Sequence, residues 1–328
     1  MLYAITGANG FIGCALIKHL ASLGHSVRGI VRDAAKDGEH LASLGAEVAE
    51  VKSLSEVGAL AAAFKGVDGI FHMAAVHPEY GFAETPEGRA GILQAAVDGT
   101  VTVLKAAKQA EIKRVVLTSS LAAIECGNDE GTLSEAMWSK ADVYDSHEKL
   151  NSTPWATHYT YVKSKVEQER AAAAFAAEHG LDMRIVVPGN LCIGPIASKA
   201  LNGTMTRIKD IMGGKNTLMG AADLAIVHVQ DVVEAHEKCM TLDSASGRYI
   251  VASDMAKIED ILAELKQMYP SLPVASLGEM DYASGMPGAA RKIQSRAVSE
   301  LGMQLKPYQQ TLRDSVDSMI SHNVISVA

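Results

Sequence analysis

Short apolar runs recur through the first two-thirds of the chain, and each is followed by a stretch whose apolar residues repeat at helical spacing. Leu2–Thr6 opens the series, with a helix expected from Phe11 to about Leu23. Ser26–Val31, Glu47–Val51, Gly69–His72, Val115–Thr118 and Met183–Val187 continue it, with helices between. Strands this short and apolar, alternating with helices, predict a parallel sheet covered on both faces, an α/β doubly wound arrangement. The Ala-rich segment Val166–His179 is a helix by propensity, and Gly180 stands where a C-terminal cap belongs.

Beyond about Ile193 the pattern loosens. Gly213, Gly214 and Gly220 mark turns, short returns to sheet are expected near Ala225–Val229 and Tyr249–Val251, and Pro270, Pro273, Pro287 and Pro307 punctuate the last third. A length of 328 residues fits one α/β core with an appended lobe better than two equal domains. The expected division is a sheet domain over 1–192, completed by about 225–255, and a smaller substrate lobe made of 193–224 and 256–328.

Composition narrows the function classes. Hydrophobic residues make up 48% and charged ones 21%, ordinary for a soluble globular chain. A net charge of −8 argues against nucleic acid or an anionic membrane as partner, since both reward clustered Lys and Arg. Cys14, Cys126, Cys192 and Cys239 form no CxxC pair, so neither a metal site nor a disulfide scaffold is expected. The chain opens almost directly in an apolar strand without a basic leader, and no stretch approaches a membrane span; a cytoplasmic protein is expected.

Between the first strand and the first helix, AITGANGFIG sets Gly7, Gly10 and Gly13 at GxxGxxG spacing. Glycine there permits a tight turn, close backbone approach to a pyrophosphate and close helix–strand packing, while the helix N-terminus presents N–H groups to the phosphates. Asn9, Phe11 and Ile12 belong to the same turn. A dinucleotide that needs its ribose 2′-hydroxyl bound is met by an acid at the end of the second strand. Val31 and Arg32 stand there instead, with Lys36 as a further cation; a guanidinium pairs with a 2′-phosphate, so NADP(H) is expected over NAD(H). Asp33 is expected to point away or to cap the following helix.

The strand RVVLTSS ends in Thr118, Ser119 and Ser120, at the carboxyl edge where open α/β sheets bind ligands. About forty residues on comes YTYVKSKVEQER. A tyrosine and a lysine four apart share a helix face, and two such pairs overlap, Tyr159 with Lys163 and Tyr161 with Lys165; spacing leaves both open.

With these residues in view the chain resembles the extended short-chain dehydrogenase/reductase superfamily, and within it the dihydroflavonol reductase / cinnamoyl-CoA reductase-like branch. There the tyrosine is followed by x-x-Ser-Lys and an acid four residues beyond, which Tyr161, Ser164, Lys165 and Glu169 match. LSEAMWS resembles the branch's Asp-Glu-x-x-Trp-Ser segment, GIFHMAA its third cofactor-contacting strand end with Ala74 and Ala75, and VVPGNLCIGP its Pro-x-x-x-x-x-Gly-Pro segment beginning at Pro188. VHVQDVVEAH, GRYIV and SELG follow in the branch's order, so the likeness spans nearly the whole chain.

The resemblance implies a Rossmann-type sheet, bound NADP(H), and reduction of an aldehyde, ketone or flavonoid-like carbonyl to the alcohol. Tyr161 is then the general acid, Lys165 lowers the cost of its phenolate and holds the nicotinamide ribose, and Ser120 binds the carbonyl oxygen. Thr118, Ser53 and Leu54 join the implied cofactor contacts. Two departures stand out: Ser53 replaces an Asp that contacts adenine in the family, and Lys163 sits between the tyrosines. The cinnamoyl-CoA-specific NWYCYGK run is replaced by THYTYVK.

His72 and His228 lie in apolar strand contexts and read as satisfied core histidines. His77, with Pro78, follows a cofactor-facing strand end and is a candidate pocket residue. Glu125, five residues after Ser120, is either a solvated loop acid or a group that meets a substrate hydroxyl and disfavours anions. Two other functions share the fold: a nucleotide-sugar epimerase or dehydratase with retained NAD, and a non-catalytic NADP-sensing protein. A monomer or homodimer acting on a small carbonyl or alcohol is the expected state.

Overall fold

The computed structural model describes residues 1–75, 85–128, 131–140, 155–215, 223–276 and 292–326. The strands are β1 Leu2–Thr6, β2 Ser26–Val31, β3 Ala46–Glu50, β4 Gly69–His72, β5 Arg114–Thr118, β6 Thr132–Leu133, β7 Asp182–Pro188, β8 Leu191–Ile193, β9 Asp223–His228, β10 Gly247–Val251, β11 Asp254–Lys257 and β12 Lys292–Ile293. The helices are α1 Phe11–Ser22, α2 Ala34–Ser43, α3 Val57–Ala63, α4 Pro86–Gln109, α5 Ala122–Glu125, α6 Trp155–His179, α7 Gly203–Met212, α8 Val229–Thr241, α9 Ile258–Met268, α10 Arg296–Glu300 and α11 Tyr308–Ser321.

Seven strands form one parallel sheet in the order β10-β7-β5-β4-β1-β2-β3, the doubly wound arrangement that the alternation predicts. Its chain order reverses between β1 and β4, where the glycine turn leaves the sheet. Successive side chains of each strand enter opposite layers. Tyr3, Ile5, Val116, Val186 and Tyr249 join the core under α1 and α8. Ala4, Ile70, Val115, Leu117, Ile185 and Ile250 join the core under α3, α4 and α6.

Of the two later returns to sheet, Gly247–Val251 completes the large sheet beside β7, whereas Asp223–His228 lies in a separate three-stranded sheet, β11-β9-β8. That small sheet packs with α7, α9 and α11 against the α1/α8 layer through Met205, Ile208, Ile261, Leu312 and Val316. A third pairing, β12 with β6, ties the late chain to the segment after β5. Gly180 adopts φ +67 and Leu181 N–H donates back to Ala176 O at 3.0 Å, closing α6 as expected. Among the described residues, no helix is long and apolar enough to cross a membrane.

Candidate active site

β1 runs into the glycine turn with Gly7 at φ +71. A Cβ there would stand 2.8 Å from Ala74 N and 2.9 Å from Ala74 Cα, and one at Gly13 would strike the Gly7 and Ala8 carbonyl oxygens. Any larger residue would force the turn away from β4 or α1 from β1. Gly10 N–H closes the turn on Gly7 O at 3.0 Å, and Gly10 caps α1 with no side-chain acceptor and no acid in the first turn. The N–H groups of Phe11, Ile12 and Gly13 therefore begin α1 with the partial positive charge that a phosphate needs, and the turn fits a dinucleotide.

Around this turn the expected contacts divide. Ala74 abuts it, with its N–H 3.4 Å from Thr6 Oγ1, and Ala75 is exposed beside it. Asn9 reaches instead to α2, its Nδ2 donating to buried Asp37 at 2.8 Å. Arg32 and Lys36 are exposed at the end of β2 and the start of α2. Asp33 is turned to cap α2, accepting from Lys36 N–H at 3.0 Å. Ser53 Oγ is engaged with Ser55 Oγ at 2.8 Å in its own turn, and Leu54 rests beside Gly99 of α4.

At the end of β5 the strand's alternation separates three adjacent polar residues. Thr118 Oγ1 bonds His236 Nε2 of α8 at 2.7 Å on one layer, while its carbonyl lies 3.4 Å from Lys165 Nζ on the other. Ser119 donates to buried Glu169. Ser120, half-buried, accepts from Ala122 N–H at 3.2 Å, so its own hydroxyl proton remains available to a substrate oxygen. Leu121 N–H donates to Pro188 O at 2.8 Å, which fixes this segment to the end of β7.

α6 supplies the tyrosine and lysine. Tyr161 packs on Ala122, Cys126 and Val162, against the segment that Ser120 begins. The Lys165 ammonium lies 5.8 Å from the Tyr161 ring centroid and also donates to Gln168 Oε1 at 3.0 Å. Lys165 is buried at 4% exposure, and burial, opposed by Glu169, lowers it to about 8. In the competing pair Lys163 is only half-buried and Tyr159 is set edge-on to His158, with ring centroids 5.8 Å apart.

Glu125 is not a solvated acid. Its side chain is buried, and Asn190 Nδ2 donates to it while Asn190 Oδ1 accepts from Ala225 N–H at 3.2 Å. His77 and Pro78 lie outside the described residues. His72 is buried and bonded on both ring nitrogens, as a core histidine should be.

The LSEAMWS segment acts as a clasp. Arg248 of β10 pairs with Glu169 at 2.8 Å, donates to Glu135 O and Met137 O at 2.9 and 2.6 Å, and lies 4.2 Å over the Trp138 ring. Glu135 in turn accepts from Ile250 N–H at 3.0 Å and Arg296 N–H at 2.7 Å. Ser139 Oγ accepts from Cys126 N–H at 2.9 Å and donates to Ala122 O at 2.7 Å, bracing the segment on which Ser120 stands. Gln168, Thr100, Asn190 and Arg248 are site or supporting residues that sequence reading did not single out. Only Gln168, three positions from Lys165 on one helix face, left a visible signal.

A model of the NAD dependent epimerase/dehydratase family matches residues 3–252. The chain is 31% identical to cinnamoyl-CoA reductase 1 of Arabidopsis thaliana, covering 96% of this chain and 88% of that one. It is 28% identical to dihydroflavonol 4-reductase of Zea mays, covering 96% and 86%. Among solved structures, the yeast methylglyoxal/isovaleraldehyde reductase Gre2 complexed with NADPH superposes with a TM-score of 0.82 at 22% identity, over 99% of both chains.

Proposed function

The chain belongs to the NAD dependent epimerase/dehydratase family, and from that premise we propose that it is an NADP-dependent oxidoreductase reducing an aldehyde, ketone or flavonoid-like carbonyl to the alcohol, reversibly, through Ser120, Tyr161 and Lys165. One observation carries the reading: a buried ammonium, Lys165, with two acceptors among the described residues and three N–H bonds, lies beside the ring of a half-buried tyrosine.

When bound, NADPH supplies the hydride. The glycine turn with Gly7, Gly10 and Gly13 holds its phosphates, and Arg32 with Lys36 answers a 2′-phosphate. Tyr161 gives its phenolic proton to the carbonyl oxygen as that oxygen gains electrons. A free phenol ionises near pH ~10, so the proton would be held too tightly without help. The charge on Lys165 stabilises the phenolate, and its third N–H, which has no acceptor among the described residues, would take a ribose hydroxyl. Ser120 hydrogen-bonds the same carbonyl oxygen through its hydroxyl, favouring the charge that develops there. In this reading Glu125, buried and bonded by Asn190, meets a substrate hydroxyl and opposes anionic substrates.

Plant relatives named for cinnamoyl-CoA and dihydroflavonol reduction support a carbonyl as the reacting group. The decisive experiment follows NADPH oxidation across aldehydes, diketones, flavanonols and acyl-CoA thioesters. The expected result is saturable turnover with at least one neutral carbonyl. A purified chain that retains NAD through denaturation-free exchange and oxidises no NADPH would instead place it with the epimerases.

A further inference from the structure

Lys165 stands at one end of a row of buried hydrogen bonds that crosses the layer between the sheet and its helices. Its ammonium donates to Gln168 Oε1 at 3.0 Å, and Gln168 Nε2 donates to Thr100 Oγ1 at 2.7 Å. Thr100 Oγ1 meets His72 Nε2 at 3.0 Å, and His72 Nδ1 meets Thr6 Oγ1 at 2.7 Å. All five residues are buried, and they come from α6, α4, β4 and β1. Thr6 directly precedes Gly7, so the row joins the reactive lysine to the residue that opens the phosphate turn.

The row has a direction. Gln168 satisfies both partners only with its oxygen toward the ammonium, because the reversed amide would set N–H groups against N–H groups. Thr100, accepting from Gln168, has its one proton available for His72 Nε2, and the imidazole then donates from Nδ1 to Thr6. This requires a neutral ring. Burial and the Lys165 charge lower His72 to about 3, which keeps it neutral.

We propose that Gln168, backed by Thr100 and His72, is a positioning residue that keeps Lys165 charged and aims its remaining N–H toward the Tyr161 side. The consequence for Tyr161 rests on the reductase reading above; the effect on Lys165 does not. The groups facing this ammonium are Tyr161 and Glu169 on its own helix and His72 from β4. β5 contributes the Thr118 carbonyl and Ser119, α4 the uncharged Thr100, and β10 Arg248, which is paired with Glu169. With Glu169 shared between Ser119 and Arg248, Gln168 is the nearer of the ammonium's two neutral acceptors, at 3.0 Å against 3.4 Å for the Thr118 carbonyl. An acceptor favours the charged form, so its loss lowers the lysine's ionisation and a carboxylate in its place raises it.

The test follows the Lys165 Nζ signal by NMR in the nucleotide-free full chain labelled at lysine nitrogen, from about pH 6 to 11. Lys165→Met assigns the signal. The expected titration shifts down by about one pH unit in Gln168→Leu and up by about as much in Gln168→Glu. Thr100→Val, which leaves the Gln168 amide without its anchor, shifts it down by less. The alkaline limb of the kcat profile should move in the same order. Titrations that coincide with wild type in Gln168→Glu and Thr100→Val overturn the proposal even if Gln168→Leu fails to fold. Opposite shifts without turnover of any carbonyl would uphold it and remove the reductase reading instead.

Discussion

At about 8, the Lys165 ammonium lies close enough to working pH that each acceptor around it matters. The Tyr161 ring lies 5.8 Å from this charge, whereas Tyr159 shares a helical turn with it and lies against His158. Tyr161→Phe should lower kcat by roughly 10²–10⁴-fold with little change in NADPH affinity, since only the proton donor is removed. Tyr159→Phe should leave kcat within a few-fold of wild type, and steady-state kinetics with a fluorescence titration of nucleotide binding separates the two. Much of this residue set was legible in the chain: the glycine spacing and the tyrosine–lysine repeat can be read without coordinates. Thr100 and His72 could not be tied to Lys165 that way, because hydrogen bonds joining three separate elements leave no periodic trace. Thr118 shows the opposite difficulty, since it reads as one cluster with Ser119 and Ser120 yet its side chain bonds His236 on the other layer.

Among the elements, α6 shows how propensity and packing divide the work. The Ala-rich half was visible from composition, but α6 begins at Trp155, eleven residues before Val166, through His, Tyr, Thr and Val positions that favour helix poorly. Packing against α4 and α5 overrides that preference, and it is this half that presents Tyr161 and Lys165. The two-residue strands β6 and β12 carry too few positions for any pattern to register. The clasp between β10 and α6 yields a stability prediction. Arg248→Met leaves the Glu169 carboxylate buried and unpaired, at a cost of about 3–5 kcal/mol. Adding Glu169→Gln to Arg248→Met should recover part of that loss, whereas independent effects would add. Urea denaturation of the single and double variants distinguishes the outcomes.

Across the whole molecule the strands of the parallel sheet were readable along the chain because both sides of the sheet are covered, which makes its central strands short apolar runs. The separate sheet holding β9 was not, since a strand's hydrophobicity says that it is buried and not which sheet it joins. Buried imidazoles, His72 and His236 among them, give the folded chain a pH response. His72 and His236 lie at about 3 and 4, depressed chiefly by burial, against an unfolded value near 6.5. The unfolded chain therefore binds more protons below about pH 6.5, and stability falls on acidification toward pH 4, by up to about 1.4 kcal/mol per pH unit for each ring. Thermal melts between pH 7 and pH 5 should show the decline, and His236→Gln should flatten it even if it lowers the melting temperature at pH 7. The hydrogen bonds from Ile250 and Arg296 to Glu135 bear on how the molecule comes into being. As the nascent polypeptide leaves the ribosome, the glycine turn and the first strands emerge early, but the bracing of the serine segment waits for residues near the three-hundredth. The segment bearing Ser120 is therefore clasped in full only when residues close to the three-hundredth are in place, so the far end of the chain has a hand in the geometry of its middle.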